Sequence, residues 1–280
     1  MDQAFAGAGG EPGKLLRFLY LEITQTCNVQ CKHCYTGSSP HTRNPEMVDW
    51  VRVLHDAREL GCNKIQFIGG EPTVHPKLEH FLDVAHGLNF GFVEVYSNLA
   101  SVSDRLLDQW TAQKVRLATS FYSTKAEVHD SITQSPGSFR RTVRNMERVL
   151  ERGLRLRVGG TEMPENADER DSVFSFLTKL GVKPELISCD HTRAVGRGSS
   201  IVNGPGTTKA DPEAALCGNC WRGSLAVSWN GACRPCVFAR EANLGYIPQM
   251  TLAEVVHSQA LEAFRQRHFM RTQLKPYLQS

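Results

Sequence analysis

Cys27, Cys31 and Cys34 stand in the stretch I-T-Q-T-C-N-V-Q-C-K-H-C-Y, a C-x3-C-x2-C array directly after an apolar run. Three thiolates on one short loop can hold one face of a small metal centre. A [4Fe–4S] cluster takes four cysteine ligands as a rule, so three from a single loop leave one iron without a protein ligand. An iron with an open position is a place where a small molecule can chelate. The alternatives for this loop are a structural zinc site or unrelated buried thiols. Zinc closes its structural sites with four ligands, and His33 lies between two of the cysteines. The rest of the chain argues for iron and sulfur.

Two further segments place chemistry-bearing residues just past strand-like runs. Gly69-Gly70-Glu71-Pro72 follows K-I-Q-F-I, and Ser97-Asn98 follows F-V-E-V-Y. In that order and at those distances, the three segments resemble the radical S-adenosylmethionine (radical SAM) superfamily, from about Leu16 to at least Gly198. The resemblance implies that the amino and carboxylate groups of S-adenosylmethionine occupy the open iron. It further implies a reduced cluster that breaks the S–C5′ bond and a 5′-deoxyadenosyl radical that takes a hydrogen atom from substrate.

The same resemblance implies roles for single residues. Gly69 and Gly70 let backbone approach the methionine amino group, because no side chain intervenes. Glu71 accepts from that ammonium. Asn98, with Ser97, bonds ribose or methionine. Ser120, closing L-A-T-S, contacts the methionine carboxylate, and Arg193 in C-D-H-T-R-A-V-G-R-G pairs it as a fork. Tyr35 lies by the adenine. The alternative for each polar residue is an ordinary cap or turn.

Four more cysteines stand near the end, as C-G-N-C at 217–220 and C-R-P-C at 233–236. Two C-x2-C pairs suit a zinc ribbon, and four thiolates suit zinc or iron. The stretch from Cys220 to Cys236, with Gly231 inside it, resembles the C-x9-15-G-x4-C hairpin of SPASM and twitch domains, which follow radical SAM barrels. That resemblance implies an auxiliary [4Fe–4S] cluster on Cys217, Cys220, Cys233 and Cys236, acting in electron transfer or structure. A full SPASM domain has seven cysteines and two clusters; four here imply one cluster, closer to the twitch form. Of the two remaining cysteines, Cys62 falls in a helix–strand turn and reads as structural. Cys189 closes the sixth strand, and alternation lets it face the barrel mouth or the helix layer. At the mouth it would be a hydrogen-atom donor, as in family epimerases; otherwise it is a buried core thiol.

These residues need a scaffold that gathers the loops after successive strands. Strand-like runs at 16–23, 64–68, 91–96, 115–120, 154–159 and 185–189 alternate with helical patterns at 45–60, 76–88, 103–112, 138–152 and 168–180. Asn44 and Pro45 open the first helix, with Met47, Trp50, Val51, Leu54 and Ala57 on its apolar face and Gly61 past its end. The alternation implies an α/β fold of parallel strands joined by right-handed crossovers. Closed part-way, that is a (β/α)6 partial TIM barrel, which the family resemblance also implies, with reactive groups at the C-terminal strand ends. The expected organisation is a flexible lead-in over 1–14, the barrel over 15–198, a Gly/Pro/Ser/Thr-rich linker over 199–215, and a small cysteine-bearing auxiliary-cluster module over 216–280. Thr251 and Glu254 form a capping box before a final helix. Arg141, Arg144, Arg148 and Arg152 share one face of the 138–152 helix. That face is either solvated or able to dock an acidic leader peptide.

The chain has 280 residues, 41% of them hydrophobic, enough for one barrel-like domain with an appendage. A net charge of +3 gives no reason to expect nucleic acid. No secretory signal and no run of 18 apolar residues is found, so no membrane partner is expected. Nine cysteines without a signal argue for the reduced cytoplasm and for metal binding rather than disulfides. The whole-chain texture resembles actinobacterial SPASM/twitch proteins of biosynthetic clusters. It implies a radical SAM oxidoreductase that crosslinks or epimerises a ribosomally made peptide (RiPP maturation), with a reductant such as flavodoxin or ferredoxin. Only about 14 residues precede the barrel, with no separate leader-binding domain among them. The runner-up is a dehydrogenase or epimerase that tailors an aminosugar or other small-molecule natural product. A non-catalytic zinc-binding interaction module leaves G-G-E-P and the three-cysteine loop unexplained.

Overall fold

In the computed structural model, the alternating runs build one continuous sheet with helices on its outer side. The structure describes residues 16–43, 46–203, 215–217 and 221–278. Six strands, β1 Phe18–Thr24, β2 Lys64–Gly69, β3 Phe92–Tyr96, β4 Arg116–Ser120, β5 Leu156–Glu162 and β6 Ile187–His191, pair in parallel, each with the next. Between them lie α1 Trp50–Glu59, α2 Leu78–Gly87, α3 Asp104–Ala112, α4 Ala126–Thr133, α5 Ser138–Glu151 and α6 Arg170–Leu180. The sheet order is β6-β5-β4-β3-β2-β1 followed by two later strands, so β1 and β6 do not pair and the barrel is partial.

Strand alternation divides the side chains between two faces. Leu19, Leu21, Ile65, Phe67, Leu117 and Val158 pack into the main core with Leu54, Leu82, Trp110, Met146 and Leu177 of the helices. Phe18, Tyr20 and Ile68 fall on the inner face. That face is also polar. Arg157 Nη2 donates to Glu94 Oε2 at 2.9 Å, Gln66 Nε2 donates to the same carboxylate, and the Arg157 guanidinium lies 5.3 Å from the Tyr96 ring centroid. A buried charge is tolerable only when paired in this way.

The cysteine-bearing module continues the sheet. Its strand β7, Ser224–Val227, pairs in parallel with β1, Phe18 opposite Ser224 and Leu21 opposite Val227, and β8, Cys233–Arg234, runs antiparallel to β7. Glu22 of β1 is buried and fastens the join. Its carboxylate accepts from Ser228 Oγ at 2.6 Å and from Arg240 Nη1 at 2.8 and 2.9 Å.

Several elements differ from expectation. The first helix starts at Trp50, because the Asp49 carboxylate caps it by accepting from the Arg52 amide at 3.1 Å. Asn44 and Pro45 lie outside the described residues, and Met47 is half exposed ahead of the helix. Helix α4 has no counterpart in the sequence reading; it is short and carries only a weak apolar stripe. The expected linker opens with a helix, α7 Gly198–Asn203, and residues 204–214 lie outside the described residues. The Thr251–Glu254 capping box is present but starts only α8, Leu252–Val256; α9, Gln259–Leu278, follows it. Of the four arginines expected on one face, Arg148 pairs with Asp104 and Arg152 with Asp108 of α3, whereas Arg141 and Arg144 are exposed.

Candidate active site

Cys27, Cys31 and Cys34 lie on the loop after β1, which has no regular structure and is held from outside. Cys27 N donates to Ser39 O at 3.2 Å, Gln30 N to Thr133 O at 3.0 Å, and Lys32 N to Ile132 O at 2.9 Å. The last two acceptors are carbonyls at the C-terminal end of α4. The segment after β6 supplies the strongest fastening. Arg197 Nε donates to Cys31 O and Arg197 Nη2 to Ser38 O, both at 2.9 Å, and Arg197 N donates to Cys34 O at 2.9 Å. Gly196 makes this approach possible: it has φ +57°, and a Cβ there would stand 2.4 Å from Cys34 O.

The Gly69–Gly70 pair ends β2 against the same loop. Gly70 N donates to Thr24 O at 2.6 Å and Glu71 N to Thr26 O at 2.9 Å. A Cβ on Gly70 would meet Thr26 O at 2.2 Å. The backbone of β1 and of Gln25–Thr26 just past it therefore accounts for these glycines, which also line the cavity described below. Glu71 is turned elsewhere. It is buried; Oε1 accepts from Thr73 N at 3.1 Å and Thr73 Oγ1 at 2.8 Å, and Oε2 accepts from Asn98 N at 2.7 Å. Its carboxylate ties the turn after β2 to the turn after β3, and burial pushes its pKa up.

Asn98 extends from that second turn. Its Nδ2 donates to Asn28 Oδ1 at 2.7 Å and lies 3.7 Å from Cys27 Sγ. Ser97 is buried, and its Oγ accepts from Leu99 N at 3.0 Å, an internal turn bond. Helix α5 braces the turn, since Thr142 Oγ1 donates to Asn98 O at 3.0 Å. Ser120 ends β4 with its Oγ 3.1 Å from Tyr96 Oη. Arg193 is not held in reserve: it pairs with Asp190, donates to Ala215 O at 2.5 Å, and lies 4.8 Å from the Phe238 ring centroid.

One cavity of about 230 Å³ gathers most of these groups. Its walls include Cys27, Cys31, Cys34, Tyr35, Gly69, Gly70, Asn98, Ser120 and Arg193; Glu71 and Ser97 are not among them. It also takes in residues the sequence reading missed: Gln66, Arg157, the β5 run Gly159-Gly160-Thr161, and Val237-Phe238 of the C-terminal module. Consecutive glycines inside a strand signal close approach. A Cβ on Gly159 would stand 3.1 Å from Tyr96 Oη. Two buried polar atoms in the walls, His33 Nδ1 and Tyr35 Oη, have no hydrogen-bond partner among the described residues. Burial, with Arg197 nearby, pushes the His33 pKa down to about 4, so its imidazole is neutral. Burial raises the Cys27 thiol and pushes Cys31 up to about 12. A metal that takes these sulfurs as thiolates must release their protons. Three thiols on one cavity wall beside unpartnered polar atoms fit a cysteine-held cluster with a small molecule chelated on it.

Cys189 lies apart. Alternation turns Ser188 and Asp190 of β6 to the cavity and Cys189 to the helix side, where it faces a second depression with Arg170 and Phe174. Cys189 is therefore not part of that cavity's wall, although the two depressions share Gly160, Thr161 and Ser188. In the C-terminal module, Cys220 lies outside the described residues. Cys217 and Cys236 both act on the buried Tyr20, raising its pKa after the larger effect of burial. Cys233 belongs to the main core with Val227, Leu244 and Ile247, whereas Cys236 sits in a small cluster with Ala239 and Phe264. Cys233 thus packs in a different cluster from Cys236 and is not among the groups that act on Tyr20.

The sequence matches the Radical SAM superfamily over residues 21–177 and the SPASM iron–sulfur cluster-binding domain over residues 212–277. It is 29% identical over 259 aligned positions to the antilisterial bacteriocin subtilosin biosynthesis protein AlbA of Bacillus subtilis, covering 81% of this chain and 56% of that protein. It is 24% identical to an AdoMet-dependent heme synthase of Oleidesulfovibrio alaskensis, covering 59% of this chain and 43% of that one. The chain thus spans about half the length of these relatives. By fold it is similar to Streptococcus suis SuiB, with TM-score 0.68 and 13% identity over 90% of this chain and 68% of that one. It is also similar to anSMEcpe with bound AdoMet and a peptide, with TM-score 0.66 and 16% identity over 91% and 83%. Its cofactors are a [4Fe–4S] cluster that binds S-adenosylmethionine, an auxiliary iron–sulfur centre, and S-adenosylmethionine itself. With the cysteine loop, the glycine turn and the cavity in one place, the chain belongs to the radical SAM superfamily and carries a SPASM iron–sulfur cluster-binding domain.

Proposed function

We propose that this chain is an oxidoreductase that crosslinks or epimerises side chains of a ribosomally made peptide, in the cytoplasm, with electrons from a flavodoxin or ferredoxin. The observation that carries the reading is the shared cavity: Val237 and Phe238 of the C-terminal module stand in the same wall system as Cys34, Tyr35 and Ser188. A side chain held there is close to the elements of both cluster-bearing modules. The similarity to AlbA, a bacteriocin biosynthesis protein, supports a peptide as what enters.

When bound, the cluster and S-adenosylmethionine supply homolytic cleavage of a sulfonium bond and hydrogen-atom abstraction. The protein supplies position. Arg197 and the α4 carbonyls hold the cysteine loop, while Gly69 and Gly70 keep the adjoining wall free of side chains. Asn98 and Ser120 present polar atoms to the cavity, and the buried Tyr35 hydroxyl awaits an acceptor or donor. The cavity wall is mainly apolar, and Arg157, held by Glu94, sets a charged group on it that can orient a ligand.

The test is a search of the neighbouring genes for a short precursor peptide, then anaerobic turnover of the reconstituted protein with reductant, S-adenosylmethionine and that peptide. Release of 5′-deoxyadenosine with loss of a pair of hydrogen atoms from the peptide supports crosslinking. Uptake of solvent deuterium at unchanged connectivity supports epimerisation. Unaltered peptide, with an aminosugar oxidised under the same conditions, overturns the peptide reading.

A further inference from the structure

Beyond Cys34 lies a short run of hydroxyl groups. Cys34 Sγ is 3.2 Å from Thr36 Oγ1, and Thr36 Oγ1 is 2.6 Å from Ser38 Oγ. The Ser38 amide donates to Thr36 Oγ1 at 3.3 Å. Ser38 is 1% exposed, and its carbonyl accepts from Arg197 Nη2, so the pair is fixed in place. Taken alone, either hydroxyl could donate to the other. Cluster ligation sets the direction. A cysteine binds iron as a thiolate, with no proton to give, so Cys34 only accepts. Thr36 has one hydroxyl proton, and it goes to the sulfur. The Thr36 oxygen is then an acceptor, and Ser38 donates to it. Two hydroxyl protons point the same way, toward the cluster, and each bond polarises the next.

We infer that Thr36, backed by Ser38, is a positioning residue that sets the reduction potential of the S-adenosylmethionine-binding cluster through Cys34. The inference rests on membership of the superfamily and not on the identity of the substrate. Hydrogen bonds to cluster sulfurs are among the levers on potential. A donated proton stabilises the reduced cluster more than the oxidised one, because the reduced cluster carries the extra negative charge. Thr36 therefore raises the potential and brings the cluster within reach of a milder reductant.

The test is a redox titration of the reconstituted full chain, followed by electron paramagnetic resonance. The signal that changes when S-adenosylmethionine is added identifies the cluster with the open iron. Thr36→Val keeps the shape and removes the hydroxyl; its signal is expected at a more negative potential, with iron content unchanged. Thr36→Ser is expected to stay at the wild-type value. Ser38→Ala is expected to shift in the same direction as Thr36→Val, by less. A Thr36→Val protein with full iron and an unmoved or more positive potential overturns the inference. So does one that holds less iron while its remaining clusters titrate as in wild type, the mark of a merely structural residue. If Thr36→Val loads no iron, Ser38→Ala decides by the same rule: a more negative potential supports the inference, and an unmoved one overturns it. A wild-type signal that ignores S-adenosylmethionine sinks both this inference and the assignment of the site.

Discussion

Arg197 and Cys31 are 166 residues apart in sequence, yet the Arg197 guanidinium donates to the Cys31 carbonyl at 2.9 Å while its other arm reaches Ser38 O. The segment after the last barrel strand thus clamps the loop after the first. Charged hydrogen bonds are worth about 1.5–3 kcal/mol each. Arg197→Gln keeps a donor but cannot span both carbonyls. It is expected to lower stability by about 2 kcal/mol and to reduce the iron held at Cys27, Cys31 and Cys34. Iron analysis beside thermal unfolding checks this; wild-type iron with wild-type stability would remove the clamp.

Gly70→Ala places a methyl against backbone, which cannot swing aside as a side chain can. Its Cβ would lie 2.2 Å from Thr26 O, next to Cys27. Overpacking costs about 1–3 kcal/mol. The expected outcome is a destabilised protein with a weakened first cluster, while the auxiliary centre keeps its iron. Equal loss from both centres would show general unfolding instead.

His129 is expected to make the protein acid-sensitive. It is 1% exposed, its Nε2 has no hydrogen-bond partner among the described residues, and burial lowers its pKa to about 4. Above an unfolded value of about 6.5 both states are neutral and pH has no effect through this group. Below it, the unfolded chain takes a proton that the folded chain refuses until about pH 4. Stability therefore falls as pH falls from about 6.5 to about 4, by about 3 kcal/mol in all. Denaturant unfolding at several pH values should show this slope, and His129→Gln should flatten it. An unchanged slope in the variant would place the acid sensitivity elsewhere.

Cys233 and Cys236 should behave differently. Cys233 is fully buried in the main core, and its thiol donates weakly to Gly231 O at 3.6 Å. Burial pushes its pKa up to about 12. Cys233→Ala is expected to leave the auxiliary iron in place, whereas Cys236→Ala is expected to remove it. Metal analysis of both variants decides. Loss of the auxiliary iron from Cys233→Ala would restore the four-cysteine set.

The sequence made the chemistry legible wherever a residue type is itself the signal. The three cysteines, the Gly69–Gly70 turn, Asn98 and Ser120 stand out by type in the sequence, and one cavity brings them together. The β/α alternation was readable too, since apolar periodicity marks which face packs. Residues that act by position were not. Arg197 looks like any surface arginine until Gly196 lets its backbone reach Cys34 O. The G-G-E-P motif points to Glu71 but not to its partners in the fold, Thr73 and the Asn98 amide, which the turn geometry sets. Cys189 could face either side of β6, and only the register of the strand decided. Pairing of β7 with β1 joins distant segments, and no local pattern encodes it.

That pairing also bears on how the chain is made. During synthesis β1 emerges early, with one edge covered once β2 follows. Its other edge waits for β7, and the Ser228–Glu22 bond that locks the join spans 206 residues. At translation speeds of about 5–20 residues per second, that edge stays open for about 10–40 s. An unpaired strand edge invites pairing with another chain. The nascent protein is thus expected to have an aggregation-prone interval that ends only when β7 arrives, and a message cut short before Ser224 would leave it in that state.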